Sequence, residues 1–64
     1  MKLSLKALRA NKKLTQEQAA EKLGIALPTL QNYENGTYYP TVLVIKKIEI
    51  EYGVKFAQID WREK

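Results

Sequence analysis

The sequence predicts a compact all-α domain of four or five short helices. Three observations carry this: a capped two-helix unit between residues 15 and 36, a pair of leucines at helical spacing ahead of it, and a further helix start at Pro40-Thr41 answered by a stop at Gly53. A chain of 64 residues makes one domain, here residues 1–64. A domain of this size buries only about 60% of its unfolded surface, so its core is small.

The first helix is expected over residues 4–11. Leu5 and Leu8 are three apart and share a face, with Ala7 and Leu3 in partial support, while Lys2, Lys6 and Lys13 stay solvated. These lysines either offer charge to phosphates or only keep a small domain soluble.

Thr15 is a good N-cap and completes a capping box with Gln18, while Leu14 and Ala19 stand where a hydrophobic staple forms. A second helix therefore begins at Gln16. Ala19, Ala20 and Leu23 give it one apolar side, and Gly24 supplies the left-handed residue that stops it. Pro28 then sets the first turn of a third helix, where a missing N–H costs nothing, and Asn35-Gly36 ends it.

At about 100° per residue, with Leu30 turned to the core, Tyr33 and Leu27 lie about 60° to either side. Pro28, Gln31, Asn32 and Asn35 then face outward, a surface of amides without charge. Such a face is either ordinary polar surface or a base reader. Asn and Gln make paired hydrogen bonds to adenine N6 and N7, and an apolar residue can touch the thymine methyl. Leu27 suits either the core edge or such a methyl contact.

Gln16, Ala20, Gly24, Ile25, Leu30 and Tyr33 fall where the helix-turn-helix motif of the lambda-repressor and Cro family has its defining residues. Tyr33-Glu34-Asn35-Gly36 resembles that family's closing tetrapeptide, and the likeness runs from Leu5 to Ile59 with the motif over residues 16–35. The resemblance implies a lambda-repressor-like fold and a bacterial or phage DNA-binding transcriptional regulator whose second motif helix enters the major groove. It also implies that Arg9 pairs with Glu34 and that Gln16 anchors a phosphate. The sequence departs from the family where Ala26 replaces the common serine or threonine cap, and where Leu27 and Pro28 take positions often polar or basic. No Lys or Arg occurs between Leu23 and Pro40.

Base reading is therefore expected from Gln31 and Asn32, with apolar help from Leu27 and Pro28, on half-sites rich in A·T pairs. Phosphate contacts fix register and supply the salt-sensitive part of affinity; the candidates are Gln16, Thr29, Asn35, Thr37, Tyr38 and Lys13. Of Tyr38 and Tyr39, one is expected to cover the core. From Met1 to Leu14 there are five basic residues and no acid, so the positive charge gathers at one end of the sequence.

Residues 41–52 are expected to form the fourth helix. From Ile48 to Phe56 the apolar residues alternate, which by pattern alone argues a strand, and some Cro proteins end in strands, so an α+β form is the alternative. Start and stop signals favour the helix. Its inward face then holds Thr41, Val42, Ile45, Ile48 and Tyr52, with Glu49 on the inward side and in need of a cation or the edge of the core. Leu43 and Ile50 lie on the outer face beside Lys46 and Lys47. A short fifth helix is expected over residues 56–59. Trp61 either packs on its own domain or joins Leu43 and Ile50 as a dimer contact.

With no cysteine and no histidine, disulfides, thiolate metal sites and the commonest general base are all missing. No enzyme, metal, cofactor or small-molecule ligand is expected. No stretch has the length of a signal peptide core or a membrane span, which predicts a cytoplasmic protein. The net charge of +4 and pI near 9.5 favour an anionic partner. The expected function is a Cro-type repressor that binds double-stranded operator DNA as a homodimer, at least on DNA. The rival is a protein-binding module of the same fold, antitoxin-like or regulator-binding, without DNA readout.

Overall fold

The computed structural model of the chain describes residues 2–61; the charged residues 62–64 lie outside it. A two-residue strand β1 (Leu3–Ser4) leads into α1 (Leu5–Asn11), followed by α2 (Gln16–Leu23), α3 (Leu27–Glu34) and α4 (Val42–Tyr52). A 3-10 turn (Phe56–Gln58) and a second two-residue strand β2 (Ile59–Asp60) complete the order.

Three of the four helices, α1, α2 and α4, begin where a cap stands in the sequence. The Ser4 hydroxyl accepts from the Ala7 N–H at 3.0 Å, and Thr15 and Gln18 form the reciprocal box, at 3.1 and 2.9 Å. Thr41 caps α4 by accepting from Val44. Ala26 leaves α3 without a side-chain cap, and Pro28 lessens the loss because it has no N–H to satisfy. Gly24 ends α2 at φ 69°, with the Lys47 ammonium 3.3 Å from where a Cβ would stand, and Gly53 ends α4 at φ 65°. These features confirm the helical reading of residues 41–52 against the strand suggested by alternation.

The end of α1 is less usual. The N–H groups of Lys13 and Leu14 donate to the carbonyls of Ala10 and Arg9 at 2.9 and 3.3 Å, closing the last turn around a left-handed Lys13 at φ 58°. A lysine stands where glycine is the usual choice.

The core is small and drawn from every helix: Leu5 and Leu8, Ala19, Ala20 and Leu23, Leu30, Ile48 and Tyr52, together with Ile59. Leu23, Leu30 and Ile48 are completely buried, each stabilising the fold by about 1.5–3 kcal/mol. Alanines at positions 19 and 20 let α2 approach α3 and α4 closely.

Several expectations need correction. The fifth helix is a single 3-10 turn, and Ile59–Asp60 continues as a strand paired in parallel with Leu3–Ser4. The fold is four helices with a small two-stranded sheet. Val42 and Thr41 are exposed, Val42 by 67%. The inward face of α4 follows Val44, Ile48 and Tyr52, and Val42 lies about 120° from Ile48 around the helix. Tyr38 and Tyr39 are both exposed, and the neighbouring Pro40 is buried instead. Among the described residues Glu49 meets no cation; its carboxylate accepts from the Phe56 N–H at 2.8 Å, and with Gln58 accepting from Lys55 it caps the 3-10 turn.

Candidate nucleic-acid interface

The candidate site is organised by one carboxylate. Glu34, at the last turn of α3, has a side chain only 2% exposed, and a charge so placed must be paired. Its Oε2 accepts from Arg9 Nε at 2.7 Å and its Oε1 from Arg9 Nη2 at 3.3 Å, a two-pronged pair between α1 and α3. Arg9 Nη1 also donates to the Leu14 carbonyl at 2.9 Å, which ties the turn carrying Lys12 and Lys13 to the same place. A third donor is Gln16 Nε2, 3.1 Å from Glu34 Oε1. Gln31 Nε2 in turn donates to Gln16 Oε1 at 3.4 Å.

This network brings the end of α1, the start of α2 and the middle of α3 to one side of the molecule. Lys13 and Gln16, named as phosphate contacts, are thereby gathered with the base-reading candidate Gln31. Lys13 is exposed and Gln16 half-buried. On α3, Pro28 and Asn35 are exposed, while Thr29, Gln31 and Asn32 are half-buried. Asn32 makes no side-chain hydrogen bond among the described residues. Leu27 is half-buried and lies outside the group of residues packed on the core. Thr37 and Tyr38 are exposed in the loop after α3.

The bond between Gln16 and Gln31 and the third donor on Glu34 had no signal in the sequence. The partners are 15 and 18 residues apart, and neutral amides leave no charge pattern to read.

Tyr52 lies beside this network. Burial, and after it the Glu34 carboxylate, pushes its phenol up from 10.0 to about 12, with Arg9 acting the other way. Its hydroxyl is buried with no hydrogen-bond partner among the described residues. Below pH 10 the phenol is neutral in both folded and unfolded chains. Between about pH 10 and 12 only the unfolded chain ionises, so stability is lost as pH rises, by about 1.4 kcal/mol per pH unit. Tyr52→Phe is expected to abolish that alkaline loss and, by removing an orphan hydroxyl, to leave stability at pH 7 equal or higher. Urea titrations of both proteins at pH 7, 10 and 11 measure it.

The outer face of α4 exposes Leu43 by 74% and Ile50 by 79%, beside Val42. Trp61 is half-buried within its own domain, its ring 5.7 Å from Phe56 and 6.2 Å from Tyr39. No described helix is long and apolar enough to cross a membrane.

With this geometry, the Helix-turn-helix family model matches residues 5–59. The chain belongs to that family. Relatives of this helix-turn-helix protein include an uncharacterized HTH-type transcriptional regulator, MJ0272, of Methanocaldococcus jannaschii, 42% identical over 92% of this chain and 89% of that one. A second, YgzD of Bacillus subtilis, is 33% identical over 100% of this chain and 97% of its own length. The cryptic phage CTXphi transcriptional repressor RstR of Vibrio cholerae is 33% identical over 86% of this chain, which spans 50% of RstR. No solved structure matches. The family is one of DNA-binding transcriptional regulators and not of enzymes.

Proposed function

We propose that this helix-turn-helix protein is a sequence-specific repressor of the Cro type, reading operator half-sites with α3 in the major groove as a homodimer on DNA. One observation carries the reading: an uncharged amide face on α3 stands beside a cation-bearing turn and the start of α2, all held by the Glu34 network. The base readers are Gln31 and Asn32, helped by Leu27 and Pro28. Gln16, Thr29, Asn35, Thr37, Tyr38 and Lys13 hold phosphates. The repressor RstR among the relatives supports repression, and a cytoplasmic location follows from the partner.

Eight residues make α3 about 12 Å long, enough to face about three or four base pairs. The domain is 27 Å across at its widest, less than the roughly 34 Å between half-sites one turn apart. One copy therefore serves one half-site, and Leu43 and Ile50 are the apolar surface through which two copies meet.

Selection from a pool of random duplexes tests this. The expected product is paired half-sites rich in A·T, with log affinity falling against log salt by about 0.9 per phosphate neutralised. G-rich half-sites would overturn the base assignment. Absence of enrichment together with a flat salt response would favour the rival reading, a protein-binding module that uses the exposed face of α4.

Lys13 gives a second check. Lys13→Gly relieves a left-handed residue of about 1–2 kcal/mol of strain, offset in part by the larger freedom of glycine in the unfolded chain, about 0.5–1 kcal/mol. The expected variant is slightly more stable in urea yet binds all DNA more weakly, with a salt slope shallower by about 1 per protomer.

A further inference from the structure

We infer that Tyr39 and Trp61 form a clamp that holds the loop after α3 in the shape in which Thr37 and Tyr38 meet phosphates, so that two aromatic rings set DNA affinity without touching DNA. The inference rests on the reading above, that Thr37 and Tyr38 hold phosphates. It deepens that reading by assigning Tyr39 and Trp61 as positioning residues for affinity.

The loop has little of its own to hold it. Gly36 and Thr37 are still tied to α3, donating their N–H groups to the carbonyls of Tyr33 at 3.2 Å and Asn32 at 2.9 Å. From Tyr38 to Pro40 no backbone group makes a hydrogen bond among the described residues, and both tyrosines are exposed, Tyr38 by 62% and Tyr39 by 69%. Fixing such a segment costs conformational entropy that a contact elsewhere must offset.

Trp61 meets the loop on both sides of Thr37 and Tyr38. Ahead of them, a Cβ on Gly36 would stand 3.4 Å from the Trp61 carbonyl oxygen, so the loop starts against the Trp61 backbone. Behind them, the Tyr39 ring stands edge-on to the indole, with centroids 6.2 Å apart and planes at 73°, a favoured arrangement for an aromatic pair. The indole is itself held. Phe56 lies against it at 5.7 Å, its nitrogen is buried, and it follows directly on β2, whose Ile59 is part of the core and pairs with Leu3. A loop already kept in its binding shape has less freedom to lose when a phosphate arrives. Because phosphate contacts carry no sequence information, the clamp raises affinity for every duplex alike.

Tyr39→Ala is the informative variant, since a side chain so exposed can be removed without opening the core. Wild type, Tyr39→Ala, Tyr39→Phe, Trp61→Ala and the double alanine variant are titrated at low salt, after thermal melts show each to be folded. The duplexes carry either one half-site from the selected pool, where no second copy contributes, or random sequence of the same length. Tyr39→Ala is expected to bind both duplexes about 2- to 12-fold more weakly than wild type, the worth of one aromatic pair. Tyr39→Phe keeps the ring and is expected to bind as wild type does. Trp61→Ala is expected to show a loss like that of Tyr39→Ala, and the double variant to lie within about 2-fold of the weaker single one, because either change opens the same clamp. A purely structural contact would lower the melting temperature and leave these affinities in place. If Tyr39→Ala binds as wild type, if Tyr39→Phe is as weak as Tyr39→Ala, or if the two alanine losses multiply, the clamp is wrong while the DNA-binding function stands. Should Trp61→Ala fail to fold, the two Tyr39 variants decide by the first two of these outcomes. If wild type binds neither duplex, the function itself fails and the clamp with it.

Discussion

Arg9→Ala is expected to cost about 3–5 kcal/mol of folding stability, because it strands a carboxylate whose side chain is 2% exposed. For a chain of 64 residues the whole stability is about 3–10 kcal/mol, so this one change brings the domain close to unfolding at physiological temperature. Two terms add. Glu34 loses both prongs of its arginine pair, and the Leu14 carbonyl loses its donor. The pair itself is a weaker asset than its breakage suggests, since both charges were taken out of water to form it. Arg9→Met combined with Glu34→Leu is therefore expected to recover most of the loss, ending within about 1 kcal/mol of wild type. Urea denaturation of the three proteins decides the matter: a loss below about 1 kcal/mol for Arg9→Ala would mean that water reaches Glu34.

The second large effect falls on selectivity and leaves the fold alone. Replacing Gln31 and Asn32 together by alanine is expected to remove about 1–3 kcal/mol of discrimination for each amide. Alanine is a good helix former, and neither side chain belongs to the core, so the melting temperature should hardly move. Competition titrations of a selected site against random duplex measure the outcome. The gap between the two closes, while affinity for random DNA and its salt slope stay as they were. A folded double variant that still prefers the selected site would remove α3 from the reading role, although the fold and family would be untouched.

The parts of this molecule that could be read from its sequence are those with short-range causes. The capping box of Thr15 and Gln18, the left-handed Gly24, Pro28 in the first turn of α3 and the start and stop of α4 all depend on residues within one helical turn of each other. The Arg9–Glu34 pair spans 25 residues and was legible only through family resemblance. What escaped was either too short or too far apart. Two-residue strands have no periodicity to detect, so Ile59 passed for the end of a helix. Val42 misled because apolar character at the first position of a helix says nothing about whether the core extends that far. The role of Glu49 as a cap for residues beyond Gly53 needed the turn that brings Phe56 back. In the candidate site, the amide face of α3 was visible from angular geometry alone. The order in which Glu34, Gln16 and Gln31 bond was not, since it depends on how α2 is laid across α3.

The pairing of Leu3 with Ile59 and Ser4 with Asp60 has a mechanical side. Because the two segments run in the same direction, tension applied ahead of Leu3 and behind Asp60 slides them lengthwise past each other. Their rungs then share the force and yield together, where an antiparallel pair pulled from one end would peel open rung by rung. All four helices lie on the stretch of chain between these two segments, so a tug on the flanking chain is met by this small clasp before any helix is stretched.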